Sequence, residues 1–225
     1  MLADTLSETL QHLENAAKAA HRPTPALLAV SKLQPASAVA ELARAGQRAF
    51  GENYVQEAQA KIGELAGMDL EWHLIGHLQS NKAELAAHLF DWVQTVDRHK
   101  LIGALSRYRP ADRAPLNVLV QVNIDDEARK HGCRPDEVAS LAAAIAAEPR
   151  LRLRGLMAIP APHPDTARRI DAFRRMQALQ DQLAAKHPGV DTLSMGMSED
   201  YALAVAHGAT MVRIGTALFG ARPAP

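Results

Sequence analysis

The sequence lacks an excess of charge of either sign. Lys plus Arg number 25 and Asp plus Glu also number 25, so the formal net charge is +0. A nucleic-acid-binding domain, or a protein that docks on an anionic membrane, typically carries a basic excess. The charge balance therefore provides no electrostatic argument for either class of function.

Cysteine is nearly absent as well. Cys133 is the single cysteine, so it has no intramolecular disulfide partner. The first 20 residues carry Asp4, Glu8 and Glu14 among their leucines, which breaks the apolar core that an export signal needs. No apolar run approaches the roughly 20 residues that span a bilayer. We therefore expect a soluble protein of the reducing cytoplasm.

The chain also lacks linkers, internal repeats and low-complexity segments, which predicts a single domain over residues 1–225. A leucine-rich helix opens the chain, and eight short apolar β runs then alternate with amphipathic segments. Alternation of this kind predicts either a doubly wound parallel sheet or a closed (β/α)8 barrel. The count of eight favours a TIM-type (β/α)8 barrel with an extra N-terminal helix. The predicted β runs are 27–30, 48–50, 72–75, 92–96, 116–122, 153–159, 192–195 and 211–214.

Lys32 stands at the end of the first β run, directly after Ser31. The ordinary interpretation is a lysine that bends out to solvent as the strand ends. The alternative is a reactive amine, because a barrel places its chemistry at the carboxyl ends of its strands. Polar and small residues at the other strand ends, such as Asn53 after the second run, favour the alternative.

The turns after the seventh and eighth runs predict a phosphate site. Gly196 allows close backbone approach and Ser198 is expected to cap a helix that begins near Glu199, while Gly215 and Thr216 repeat the arrangement one strand along. Adjacent helix N-termini with free N–H groups suit an anion. The plain alternative is a pair of ordinary capping turns.

Arg213 is unusual within the apolar eighth run, where its guanidinium needs an acceptor. A buried ion pair with a carboxylate is one explanation. A phosphorylated heteroaromatic cofactor is the other, because its phosphate would suit the two turns and its ring nitrogen would suit the arginine. If that cofactor carries an aldehyde, Lys32 could form a Schiff base with it. Pyridoxal 5′-phosphate has all three features.

Six ordered motifs resemble the signatures of the pyridoxal phosphate homeostasis protein family, which is related in fold to the barrel domain of alanine racemase. The resemblance runs from about residue 2 to residue 219. The motifs are AVSK at 29–32, FGENYVQE at 50–57, WHLIG with LQSNK over 72–82, RGLM at 154–157, SMGMS at 194–198 and VRIG at 212–215.

The resemblance implies a barrel that binds pyridoxal 5′-phosphate as an aldimine of Lys32. Arg213 would face the pyridine nitrogen, Asn53 would lie near the ring, and the turns after the seventh and eighth strands would hold the phosphate. Lys130 matches a loop lysine of the family and would make a secondary contact at most. The implied cofactor-binding residues are Lys32, Asn53, Ser194, Met195, Gly196, Met197, Ser198, Arg213, Gly215 and Thr216.

The resemblance also implies a role in binding, buffering and delivering the cofactor, with apo pyridoxal phosphate enzymes as recipients and no robust turnover. A guanidinium opposite the ring nitrogen keeps that nitrogen unprotonated, which weakens the ring as an electron sink. The alternatives are a small pyridoxal phosphate-dependent racemase and a phosphosugar-type barrel enzyme that uses Lys32 without a cofactor. The chain shows no second β domain of the alanine racemase kind, which disfavours a full racemase and fits a monomer.

One position departs from the family pattern, and two other candidate sites carry little weight. Leu33 follows the lysine where threonine is common in the family, which puts local hydrogen bonding in doubt and not binding. His73 and His77 lack an HExxH pattern and an evident third ligand, so no metal is predicted. Cys133 has no partner that would activate it as a nucleophile.

Overall fold

Residues 1–127 and 130–220 are described by the structure, which is a computed structural model. The strands are β1 (Ala26–Val30), β2 (Ala49–Glu52), β3 (Glu71–Leu74), β4 (Trp92–Val96), β5 (Leu116–Val122), β6 (Leu151–Ala158), β7 (Thr192–Ser194) and β8 (Met211–Ile214). They pair in sequence order, all parallel, and β8 pairs with β1 to close a barrel. The predicted fold class is confirmed.

Helices surround the barrel, and one precedes it. They are α1 (Leu2–Ala19), α2 (Ala36–Arg44), α3 (Val55–Glu64), α4 (Ala83–Leu89), α5 (His99–Tyr108), α6 (Val138–Ala146), α7 (Thr166–Ala184), α8 (Tyr201–Ala206) and α9 (Thr216–Phe219). The extra helix α1 packs against α2, α8 and α9 in the outer layer. Within the described residues, none of the helices is both long and apolar enough to cross a membrane.

Alternation along each strand divides the core into two parts. Leu27 and Ala29 belong to the large apolar cluster in which the helices pack on the barrel, whereas Leu28 points the other way and packs with Ile75 and Met211. Arg213 pairs with Leu28 in the β1–β8 register and so shares the barrel interior. The interior is therefore partly polar, unlike the branched aliphatic filling that is usual for this fold.

Several predicted boundaries move. The second strand, predicted over 48–50, extends to Glu52. Short 3₁₀ helices at Ser80–Lys82 and Pro135–Glu137 precede α4 and α6. The single domain predicted over residues 1–225 includes 128–129 and 221–225, which lie outside the described residues.

The prediction that Ser198 caps the helix after β7 is wrong. That helix, α8, begins at Tyr201 and its N-cap residue is Asp200. The Asp200 carboxylate accepts the Met197 N–H at 2.7 Å, and the Asp200 and Tyr201 N–H groups donate back to the Met197 carbonyl. The Asp200 carboxylate therefore closes the turn before α8, and no side chain of the described residues accepts a capping hydrogen bond from this helix.

Candidate functional site

A cavity of about 620 Å³ opens at the carboxyl ends of the strands, between β1, β2, β3, β6, β7 and β8. Seven of the ten predicted site residues line it: Lys32, Asn53, Met197, Ser198, Arg213, Gly215 and Thr216. Their convergence follows from the parallel barrel, in which all strands end at one rim.

The other three predicted residues lie behind the cavity wall. Ser194 is fully buried and its hydroxyl contacts Arg213. Met195 packs in the outer apolar cluster. Gly196 has φ +92°, and a Cβ there would lie 2.6 Å from the Cβ of Ala204, so only glycine fits this turn. Their contact with a cofactor stays a prediction.

Arg213 is buried at the floor of the cavity. Its Nη1 donates to Ser194 Oγ and its Nη2 to the Ala158 carbonyl, each at 2.8 Å. Burial lowers the pKa of this guanidinium to about 10, so it stays charged at neutral pH. Among the described residues, Arg213 forms no direct ion pair with a carboxylate.

A hydrogen-bond chain instead connects Arg213 to a carboxylate at the far end of the barrel. The Ser194 hydroxyl donates to Gln94 Oε1 at 2.7 Å, and Gln94 Nε2 lies 2.9 Å from His73 Nδ1. His73 Nε2 lies 2.8 Å from Glu71 Oε1. Since the Gln94 amide nitrogen can only donate, the network assigns the His73 proton to Nε2, which then donates to Glu71. Every donor in the chain therefore points from the cationic end toward the anionic end.

A second buried network surrounds the backbone on both sides of Lys32. The Lys61 ammonium donates to the Ser31 carbonyl at 2.6 Å, to Glu52 Oε1 at 2.8 Å and to Glu57 Oε1 at 2.7 Å, which uses all three of its N–H groups. The Ser31 hydroxyl donates to Glu52 Oε1 at 2.6 Å. Burial raises the pKa of Glu52, and hydrogen bonds from Lys61 and Ser31 oppose that rise.

Leu33 completes this network on the other side of Lys32. Its backbone is left-handed, with φ +62°, and its N–H donates to Glu57 Oε1 at 2.6 Å. Its side chain is exposed at the rim. A branched residue in this conformation is strained, so the hydrogen bond to Glu57 holds the turn that presents Lys32.

Sequence reasoning missed the contributions of Glu52, Lys61, Gln94 and the segment between β6 and α7. That segment brings His163 and three prolines to the cavity, and Arg169 reaches it from the first turn of α7. Arg169 Nε is buried and has no hydrogen-bond partner among the described residues. The run PAPHP at 160–164 was the one available signal of a shaped loop here.

Glu199 and Asp200 also line the cavity, so its charge is mixed.

His73 and His77, considered above as a pair of metal ligands, lie in different environments. His73 is fully buried and stacks on Trp92 at 5.1 Å, with both ring nitrogens engaged in the chain to Arg213. His77 lies outside the barrel interior, on the rim. Cys133 is buried, and burial raises the pKa of its thiol to about 12, so it stays protonated.

The chain matches known proteins along most of its length. The family model for the alanine racemase N-terminal domain matches residues 5–223. The pyridoxal phosphate homeostasis protein of Escherichia coli K12 is 56% identical over 199 residues, covering 87% of this chain and 85% of that protein. The Haemophilus influenzae protein of the same name is 53% identical over 218 residues, covering 94% and 92%.

Solved structures agree in fold. PipY of Synechococcus elongatus, solved with pyridoxal phosphate bound, has a TM-score of 0.85 at 37% identity and covers 98% of this chain and 100% of its own. Alanine racemase of Corynebacterium glutamicum, at 20% identity and a TM-score of 0.69, shares the fold over 99% of this chain and 62% of its own.

Removing the Lys61 ammonium should destabilise the fold strongly. Lys61→Met leaves the Glu52 carboxylate buried without its cation, which typically costs about 3–5 kcal/mol. Lys18→Met is the matched control, because Lys18 also pairs with a glutamate four residues earlier but lies on the surface. Urea unfolding should show a large loss for Lys61→Met alone. Equal losses in both variants would contradict the proposed importance of the buried network.

The chain through His73 predicts a specific pH dependence of stability. Burial lowers the pKa of His73 below 6.5, so the unfolded chain binds a proton that the folded protein does not. The free energy of unfolding should therefore fall as pH drops through about 6.5, by at most about 1.4 kcal/mol per pH unit from this group.

Urea unfolding of the wild type and His73→Gln over a pH series isolates this group, because the other histidines are common to both proteins. The stability advantage of the wild type should shrink as the pH falls toward about 5. Parallel pH profiles for the two proteins would show that His73 does not titrate differently on unfolding.

Proposed function

This chain belongs to the pyridoxal phosphate homeostasis protein family, and on that basis we propose that it binds pyridoxal 5′-phosphate covalently through Lys32 and serves intracellular cofactor homeostasis. The observation that carries the proposal is the meeting of Lys32 and Arg213 in one cavity, beside the turns that follow β7 and β8. An amine, a buried cation and adjacent glycine turns are what a phosphorylated pyridine aldehyde requires.

The residues around the cavity fit this cofactor. Lys32 supplies the amine that condenses with an aldehyde, with loss of one water. Arg213 supplies a buried donor for a ring nitrogen, and Ser198, Gly215 and Thr216 supply backbone and hydroxyl groups for a phosphate. The unpartnered Nε of Arg169 is a further donor for an anion at the rim. When bound, the cofactor supplies the aldehyde and an electron-withdrawing ring.

Arg213 supports a carrier more than an enzyme. Its guanidinium stays protonated and donates, so a ring nitrogen facing it has to be an acceptor without a proton. Two hydrogen bonds fix the guanidinium, and the chain to Glu71 balances its charge at a distance. Arg213 would therefore hold the cofactor with an unprotonated ring nitrogen, which is a poor electron sink. We propose that turnover is weak or absent.

Borohydride trapping tests the attachment. Reduction of the purified protein with pyridoxal phosphate should give one stable adduct, which peptide mass spectrometry assigns to Lys32. Lys32→Ala should lose the adduct and the visible colour of the bound cofactor. Lys82→Ala, a change at another rim lysine, should retain both. Adducts spread over exposed lysines, or a full adduct in Lys32→Ala, would overturn the proposal.

A racemase is the second candidate, favoured by the shared fold with alanine racemase and by the lysine at the cavity. Exchange of the α-proton of several amino acids in deuterated water separates the two functions. We expect exchange no faster than with free pyridoxal phosphate at the same concentration. Exchange well above that level, absent in Lys32→Ala, would make the protein an enzyme.

We further propose that the protein is a cytoplasmic monomer that delivers the cofactor to apo pyridoxal phosphate-dependent enzymes. The balanced charge and the single buried cysteine support the compartment.

A further inference from the structure

His77, Asp97 and His131 converge on the rim of the barrel, away from the cavity that holds Lys32. His77 follows β3, Asp97 follows β4, and His131 lies in the segment between β5 and α6. One ligand atom from each of the three lies within 4.8 Å of the other two. None of them lines the cavity. We propose that these three side chains form a binding site for a divalent transition metal ion.

The donor set defines the class of ion. Two imidazole nitrogens and one carboxylate oxygen suit zinc and its neighbours in the first transition series, whereas calcium and magnesium prefer oxygen ligands alone. Three protein ligands leave at least one position for water. Cys133, two residues after His131, is not among the residues whose ligand atoms converge here.

Asp97 is the most restrained of the three side chains. Its side chain is 10% exposed, and its Oδ1 accepts a hydrogen bond from Arg98 Nη1 at 2.6 Å. Arg98 is itself held by the Leu78 carbonyl at 2.8 Å. This leaves Asp97 Oδ2 facing His77 Nδ1 at 3.9 Å. Partners that orient a ligand in this way are typical of metal sites.

The two histidine side chains are exposed and can rotate. Their rings stack at a centroid distance of 3.7 Å with an interplanar angle of 15°. Bonds of about 2.0–2.2 Å to a tetrahedral ion require donors roughly 3.3–3.6 Å apart, and each imidazole must have the ion in its ring plane. Binding therefore opens the stack by rotation of exposed side chains.

Backbone hydrogen bonds to β5 hold the segment that carries His131. The His131 carbonyl accepts a hydrogen bond from Gln121 in β5, and the Cys133 backbone hydrogen-bonds to Gln121 and to Asn123, which follows β5. An ion at this position would tie the segment that carries Lys130 to the ends of β3 and β4. Lys130 in turn donates to the carbonyl of Ile159, a residue of the cavity wall.

The test is a metal titration of the full-length chain, free of affinity tag and of cofactor. Zn²⁺ is followed by calorimetry, with elemental analysis after dialysis, and Co²⁺ by its visible absorption, whose intensity reports the coordination geometry. We expect about one ion per chain, with binding at least about tenfold weaker in His77→Ala, in His131→Ala and in Asp97→Asn. His88→Ala removes an exposed histidine on α4 and should bind as the wild type does.

Circular dichroism establishes that each variant is folded. Lys32→Ala should bind the ion unchanged, so a failure of the cofactor proposal does not affect this one. Absence of stoichiometric binding, or equal binding by wild type and His77→Ala, would overturn the metal site and leave the pair as a surface stack of two histidines. Equal losses in His88→Ala would show nonspecific binding and have the same consequence.

Discussion

Closure of the barrel by β8 against β1 is the constraint on which the candidate site depends. The register pairs Leu28 with Arg213 and Ala29 with Ile214. The end of the first strand, with Lys32, therefore lies beside the end of the last strand, with Gly215 and Thr216. A Cβ at Gly215 would lie 3.3 Å from Val30, so the two ends are in contact. Residues separated by nearly the whole chain meet because parallel strands of a closed barrel share one rim.

The same closure places a charge in the barrel interior, where charges are costly. Arg213 is kept there by hydrogen bonds rather than by an adjacent carboxylate. The aligned hydrogen bonds of Ser194, Gln94 and His73 connect this guanidinium to the Glu71 carboxylate. The Glu71 side chain is 46% exposed at the opposite end of the barrel. The carboxylate thus stays hydrated while the guanidinium remains available to the cavity. Stability has to come largely from the outer layer, where residues such as Phe50, Phe90 and Phe173 are fully buried.

Lys61 stabilises the turn at Lys32, as the hydrogen-bond chain to Glu71 stabilises the buried Arg213. Its three acceptors are the Ser31 carbonyl just after β1, Glu52 in β2 and Glu57 in α3, so one buried ammonium joins three parts of the chain beneath the rim. Glu57 also accepts the N–H of Leu33, so the backbone at this position is held by the same carboxylate. A buried ion pair with these partners favours one geometry over others that hydrophobic packing would tolerate.

The sequence by itself determined the barrel and most of the rim. Eight alternating apolar runs are a local property of the chain, and β4, β5 and β8 have the predicted bounds because their ends are marked by polar or glycine residues. Seven of the ten predicted site residues line the cavity because they lie at or shortly after the carboxyl ends of strands. Family motifs added the identity of the cofactor.

Only the tertiary structure decided which distant groups are partners. Strand order and the inward or outward direction of each side chain bring distant residues together, and local spacing in the sequence does not encode either. Examples are the pairs Glu52 and Lys61, Arg213 and Glu71, and His77 and His131. The start of α8 follows a turn in which Asp200 accepts the Met197 N–H, and helix propensity alone does not predict that contact. Local periodicity sets secondary structure, but hydrogen bonds between charged groups depend on ångström distances that exist only once the barrel is closed.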